Sequence, residues 1–127
     1  MKIAIATRGY ATVASHAGQT RQWLVFDCSP GLPLPEPAQV ELAKAQVLHH
    51  FEDDGPHPLD GVEIMIAASA GDGFVRHMAK RGAQVLLTGE TDPRTALEKV
   101  LAGEALPDRR FDITTVFCKL HDLFSRH

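Results

Sequence analysis

Histidine is the residue type that most suggests metal chemistry in this sequence, because seven of the 127 residues are histidines. A neutral imidazole ligates iron, copper, nickel and zinc. His49, His50 and His57 lie around one turn of the chain, which makes them candidate ligands of a shared metal centre. Their spacing matches no standard metal site. The macrodipole of a helix C-terminus would also favour His49 and His50 without any metal.

Two loops place further candidate ligands at one edge of the predicted sheet. His16 follows the first predicted strand, at the edge where open α/β sheets bind ligands. Gly71 and Gly73 separate a predicted strand from a predicted helix, whose first backbone N–H groups could hold an anion. Both features also have a plain structural explanation, because a surface position suits His16 and a tight turn suits the glycines.

The two cysteines, Cys28 and Cys118, form no Cys-x-x-Cys pair. Cys28 falls in a predicted strand, where an unpaired cysteine usually packs as a small hydrophobic side chain. Cys118 near the C-terminus is a candidate for an exposed thiolate. An ordinary iron–sulfur cluster takes four thiolates, so a cluster on this chain would need histidine ligands, a dimer or ligands of its own.

Motifs for a catalytic serine elbow, a zinc protease or a nucleotide phosphate loop do not occur in the sequence. A hydrolase that uses two metal ions needs several carboxylates gathered at one place. Asp27, Asp72 and Glu90 are the candidate carboxylates at strand ends. Convergence of these carboxylates would favour a hydrolase, whereas convergence of histidines at an open cleft would favour a metallocluster carrier.

The composition is that of an ordinary globular protein, with 44% hydrophobic and 23% charged residues, and the length predicts a single domain. The net charge of −3 argues against sequence-independent binding of nucleic acid. No apolar run approaches the roughly 20 residues that span a membrane. No secretory signal is visible, so we expect a cytoplasmic protein.

The hydrophobic periodicity predicts an α/β fold. Strands at 62–68 and 85–87 flank an amphipathic helix that Gly82 ends, which predicts a right-handed crossover between parallel strands. Asp92 and Pro93 predict the start of another helix. The other predicted elements are an antiparallel pair of strands at 2–6 and 22–28, an extended connector at 30–37, a helix at 39–51, a strand-like segment at 113–117 and a short helix at 119–126.

The combined motifs resemble the dinitrogenase iron–molybdenum cofactor biosynthesis family, whose members include NifX and the cofactor-binding domain of NafY. The resemblance covers about residues 1 to 103 and is carried by the whole set of motifs rather than by one. These are the Lys-Ile-Ala-Ile-Ala strand, His16-Ala17-Gly18, the His-His pair before Pro58-Leu59-Asp60-Gly61, Ala70-Gly71-Asp72-Gly73, Arg81-Gly82 and Thr88-Gly89-Glu90-Thr91-Asp92-Pro93.

The resemblance implies a ribonuclease H-like α/β fold without nuclease activity, in which a mixed five-stranded sheet is flanked by helices. It implies a domain at 1–105, a C-terminal extension at 106–127, and a monomer or weak homodimer. The family's members bind iron–sulfur cofactor precursors and pass them on, so the implied function is a non-catalytic carrier that exchanges an iron–sulfur cluster or iron–molybdenum cofactor precursor with donor and acceptor proteins. The implied cofactor-binding positions are His16, Gly18, Gly71 and Gly73, and the candidate metal ligands are His16, His49, His50, His57 and Cys118.

Two alternatives from other functional classes stay open. One is a metal-dependent hydrolase acting on a phosphorylated small molecule or nucleic acid at the same sheet edge. The other is a small regulatory domain without a cofactor.

Overall fold

A mixed β-sheet with one helix on each face forms the part of the chain that the computed structural model describes, residues 1–29, 33–49 and 56–102. Two short 3-10 turns lie at Ala17–Gln19 and Lys44–Gln46. The strands and helices are β1 Lys2–Arg8, β2 Thr12–Val13, β3 Gln22–Asp27, β4 Ala38–Glu41, β5 Val62–Ala67, α1 Asp72–Lys80, β6 Gln84–Leu87 and α2 Pro93–Leu101.

The strand order in the sheet is β4-β3-β1-β5-β6, and β2 pairs with β1 beside this path. β3 is antiparallel to β1 and to β4, whereas β5 is parallel to β1 and to β6. The predicted antiparallel pair and the predicted parallel crossover are therefore both confirmed. The described residues contain six strands rather than the expected five, because the two-residue strand β2 folds back against the end of β1.

The alternation of side chains along β1 explains why both faces of the sheet are covered. Ile3 and Ile5 belong to the apolar cluster that contains Leu97 of α2. Ala4 and Ala6 point the other way and belong to the cluster that contains Met78 of α1. All four β1 residues have no exposed surface, so the central strand is buried on both faces, as parallel strands usually are.

The predicted helix at 39–51 is wrong over the residues that the structure describes. Val40 instead pairs with Trp23 across β4 and β3. A helix with the predicted spacing would bury Ala43. In the structure Ala43 is exposed and Leu42 is completely buried. A short apolar run fits the helical and the strand period almost equally well. Here backbone pairing with the edge of β3 favours the strand.

Cys28 is a core residue, as predicted, with 2% of its surface exposed. Two hydrogen bonds join the backbone of Cys28 to Met1. The Met1 ammonium donates to the Cys28 carbonyl at 2.7 Å, and the Cys28 N–H donates to the Met1 carbonyl at 2.8 Å. Burial raises the pKa of the Cys28 thiol. A buried thiol of this kind is a poor nucleophile and a poor metal ligand.

Several predictions fall outside the described residues and stay predictions. They are the segments at 113–117 and 119–126, the extension at 106–127, and the part of the connector at 30–32. Residues 33–37 of the connector form neither helix nor strand, as expected. Neither helix in the described ranges is long and apolar enough to cross a membrane.

Asp92 caps the N-terminus of α2 as the sequence predicted. Its Oδ2 accepts hydrogen bonds from the Thr95 N–H at 2.8 Å and from the Thr95 hydroxyl at 2.9 Å. These bonds lower the pKa of the Asp92 carboxyl. The cap's contribution to stability is therefore complete above the unfolded value of about 3.9 and is lost as the pH falls through the lowered pKa.

We expect Asp92→Ala to lower the free energy of unfolding by about 1 kcal/mol at neutral pH, because one backbone donor of α2 loses its acceptor. Asp92→Asn is the matched control, since its amide oxygen retains the acceptor. Urea denaturation at pH 7 and at pH 2.5 measures both variants. An Asp92→Ala protein as stable as the wild type at pH 7 would contradict the capping role.

Candidate functional site

His16 lies in a loop between β2 and the first 3-10 turn, and its backbone is left-handed with φ 55° and ψ 61°. Residues other than glycine adopt this conformation infrequently. Ser69 stabilises it, because the Ser69 hydroxyl accepts from the His16 N–H at 2.8 Å and the Ser69 carbonyl accepts from the Ala17 N–H at 3.0 Å. The His16 side chain is exposed on a backbone that is fixed to the end of β5.

The loop that carries His16 is also bonded to both central strands. The Ala14 N–H donates to the Ala6 carbonyl at 2.8 Å, and the Ala68 N–H donates to the Ala14 carbonyl at 2.9 Å. Ala14 therefore joins the carboxyl ends of β1 and β5. This arrangement places His16 at the edge of the sheet that the sequence predicted.

A cavity of about 520 Å³ opens beside His16, within the roughly 300 to 1,000 Å³ range of small-molecule sites. It lies between the His16 loop, the segment with Leu48 and His49, and the first turns of α1. The structure brings five of the predicted site residues to it, and they share its wall with four others. The lining residues are His16, Gly18, Gln19, Leu48, His49, Gly71, Gly73, Phe74 and His77.

Gly18 connects the two histidine-bearing segments. Its carbonyl accepts from the His49 N–H at 2.6 Å. A Cβ added at Gly18 would lie 3.4 Å from the Phe74 ring and 3.7 Å from the His49 Cβ, which is ordinary contact distance. A methyl group would therefore fit at Gly18, and its backbone is not in the left-handed region that favours glycine.

The N-terminus of α1 forms another part of the cavity wall. Gly71 is the N-cap residue and supplies no side-chain acceptor to the first turn of the helix. A Cβ built on Gly71 or on Gly73 meets nothing within 4 Å, so both glycines leave open space at this wall. Backbone N–H groups at a helix start favour a negatively charged ligand.

His77 also lines the cavity, and the sequence analysis did not name it as a candidate. It lies on α1 four residues after Gly73, and residues at this spacing share one helix face. The spacing alone would have found it once Gly73 was a candidate. The basic residues around it on α1 instead indicated a solvated face.

His57 is placed differently from the other predicted ligands. It is 6% exposed, its Nε2 hydrogen-bonds to the Gln46 carbonyl at 2.7 Å, and its Nδ1 accepts from the Leu59 N–H at 3.0 Å. These bonds use both ring nitrogens to fix the turn, and His57 does not line the cavity. His57 as a metal ligand therefore stays a prediction from the sequence. His50 and Cys118 lie outside the described residues.

Within the described ranges, no group of three or more histidine, cysteine, aspartate or glutamate side chains is arranged to hold a metal ion. His16, His49 and His77 therefore line the cavity as separate candidate ligands rather than as a closed metal centre.

The candidate carboxylates for a hydrolase do not converge. Asp27 pairs with Lys2 at the start of β1, the end of the sheet opposite to the cavity. Asp72 starts α1 beside the cavity, and Glu90 forms an ion pair with Lys99 of α2. Because two-metal catalysis needs several carboxylates around one point, these three residues do not form such a site.

Together these features define a mixed α/β domain with a ligand-sized cavity at the carboxyl ends of its parallel strands. The sequence model of the family described as "Dinitrogenase iron-molybdenum cofactor" matches residues 1–103, and the chain belongs to this family. The resemblance found in the sequence is thus confirmed. Membership indicates a role in the biosynthesis of the nitrogenase cofactor.

Two solved structures share the fold. The crystal structure of PH0822 has a TM-score of 0.65 at 19% identity and covers 90% of this chain and 99% of its own. The solution structure of a putative NifB protein from Thermotoga, TM1290, has a TM-score of 0.57 at 19% identity and covers 87% and 97%. No curated protein matches the chain in sequence.

Proposed function

We propose that this protein is a non-catalytic carrier that binds an iron–sulfur type metallocluster, such as a precursor of the nitrogenase cofactor, and passes it on. One observation carries the proposal: Ser69 holds His16 in a left-handed conformation at the rim of a cavity that His49 and His77 also line. An imidazole on a fixed backbone is a suitable ligand for an iron atom of the cluster.

The polarity of the cavity supports a cluster as cargo. Clusters built from iron and sulfide carry net negative charge, and the uncapped first turn of α1 would stabilise that charge. Leu48 and Phe74 add apolar surface to the cavity wall. The open glycine wall leaves room for a bulky inorganic ligand.

A carrier must also release its cargo. A closed four-ligand site would hold the cluster too firmly for transfer, whereas a site with few ligands lets an acceptor protein compete for the iron atoms.

His50 and Cys118 remain proposed second ligands. The protein's proposed partners are the donor and acceptor proteins of the cofactor pathway. We propose that it acts in the cytoplasm and binds neither nucleic acid nor a membrane. We also propose a ribonuclease H-like fold and a monomer or weak homodimer.

The experiment is anaerobic titration of the purified apo-protein with an isolated iron–sulfur cofactor precursor. We expect ultraviolet–visible absorbance of the cluster to co-elute with the protein in gel filtration. Addition of an apo-acceptor should then deplete the protein of iron. Absence of co-eluting iron in the wild-type protein would refute the carrier function.

A further inference from the structure

His16 and Gln19 also border a second cavity, of about 360 Å³, at the end of the ladder between β1 and β3. Its wall differs in character from that of the cluster cavity. It carries two arginines, Arg8 and Arg21, together with hydroxyl and amide side chains and one carboxylate, Glu41. The chain as a whole has a net charge of −3, so this local concentration of positive charge is not a general property of its surface.

The two arginines lie close together because of strand register. The antiparallel ladder of β1 and β3 ends at the pair Thr7 and Gln22, and Arg8 and Arg21 are the next residues on each side. Like charges across neighbouring strands repel each other. Among the described residues, neither arginine forms an ion pair. A bound anion would relieve this repulsion.

A hydrogen bond holds the Arg21 guanidinium at the wall of this cavity. Its Nε donates to the Leu42 carbonyl at 3.0 Å, while the Leu42 N–H donates to the Arg21 carbonyl at 2.7 Å. The Nε bond fixes the guanidinium plane and leaves the two terminal nitrogens. A guanidinium held in this way binds a carboxylate or phosphate through paired hydrogen bonds.

Gln22 and Glu41 complete the polar wall. The Gln22 side-chain oxygen accepts from the Gly9 N–H at 2.7 Å, and its amide nitrogen donates to the Glu41 carboxylate at 3.4 Å. Gln22 thereby holds Glu41 on one side of the cavity. A carboxylate there suits a ligand that is larger than a simple ion and carries a hydrogen-bond donor as well as its anionic group.

We propose that the cavity between Arg8 and Arg21 binds a small organic anion through a carboxylate or phosphate group, at a site that adjoins the cluster cavity and shares His16 and Gln19 with it. The volume fits a metabolite of modest size. Arg8 and Arg21 contact the anionic group, and Glu41 faces the remainder of the ligand. This proposal does not depend on the carrier function.

The test is titration of ¹⁵N-labelled apo-protein with succinate and, separately, with inorganic phosphate at constant ionic strength. We expect amide shifts at Ser15, Gln19 and Thr20. Arg8→Gln and Arg21→Gln should each weaken the binding about tenfold or more, because each removes a charge-assisted contact. Arg94→Gln, which removes the same charge on α2, should leave the affinity unchanged.

The two probes distinguish the two sources of the anionic group. Binding of succinate alone indicates a carboxylate ligand, and binding of phosphate alone indicates a phosphate ester. Three results would overturn the proposal: no saturable shifts with either probe at millimolar concentration, shifts centred on Gly71 to Phe74, or an equal loss of affinity in Arg94→Gln.

Discussion

His16→Ala is expected to lower the affinity of the apo-protein for an iron–sulfur cofactor precursor by at least about tenfold, measured by anaerobic titration of cluster absorbance. Loss of residues that merely support a metal ligand typically costs 10- to 100-fold in affinity, so loss of the ligand itself should cost no less. The protein should still fold, because the side chain of His16 is exposed and lies outside both apolar clusters.

The left-handed backbone at His16 offers a sharper control. Alanine at φ 55° is strained, whereas glycine adopts this conformation freely. His16→Gly should therefore be more stable than His16→Ala in urea denaturation and yet bind the cluster equally poorly. Glu98→Ala, at an exposed position of α2 on the other face of the sheet, should bind like the wild type. Cluster binding by His16→Gly at wild-type affinity would eliminate His16 as a ligand.

Trp23→Ala is expected to destabilise the domain by about 3 to 5 kcal/mol, the usual cost of removing a large buried aromatic side chain. Trp23 has no exposed surface and belongs to the apolar cluster on the α1 side of the sheet. Its Nε1 also donates to the Thr20 carbonyl at 3.1 Å, at the end of the His16 loop. The substitution therefore removes both buried apolar volume and the hydrogen bond to the Thr20 carbonyl.

Urea denaturation followed by circular dichroism measures this loss. Val40→Ala is the comparison, because Val40 pairs with Trp23 from the edge strand β4 and is only partly buried. It should cost about 1 kcal/mol. A Trp23→Ala protein as stable as Val40→Ala would mean that the tryptophan does not anchor this face of the core.

The elements predicted correctly from sequence are those in which local signals agree with the tertiary fold. The crossover from β5 through α1 to β6 has a change of hydrophobic period at each boundary, and Gly82 at φ 86° ends the helix as expected. The start of α2 follows from Asp92 and Pro93 alone. β4 was missed because strand pairing with β3 is a nonlocal interaction that no window of residues 38–49 contains.

The candidate site was predictable to a similar degree. His16, Gly71 and Gly73 were predicted because they lie at a strand end or before a helix start, where α/β folds bind ligands. Gly18 was predicted from the family resemblance and His49 from the group of neighbouring histidines, and all five residues line the cavity. His57, which was predicted from its proximity to His49 and His50, does not line this cavity, and its ring nitrogens bond to Gln46 and Leu59. Only the structure shows which imidazole nitrogens already form hydrogen bonds with the backbone.

Pulsed electron paramagnetic resonance of the cluster-loaded protein, labelled with ¹⁵N-histidine, tests the central claim most directly. Ligation of an iron atom by His16 predicts a ¹⁵N hyperfine coupling from an imidazole in the wild-type spectrum, and any cluster retained by His16→Gly should lack it. A loaded protein without imidazole coupling, or with the same coupling in His16→Gly, would contradict the proposal that His16 holds the cluster.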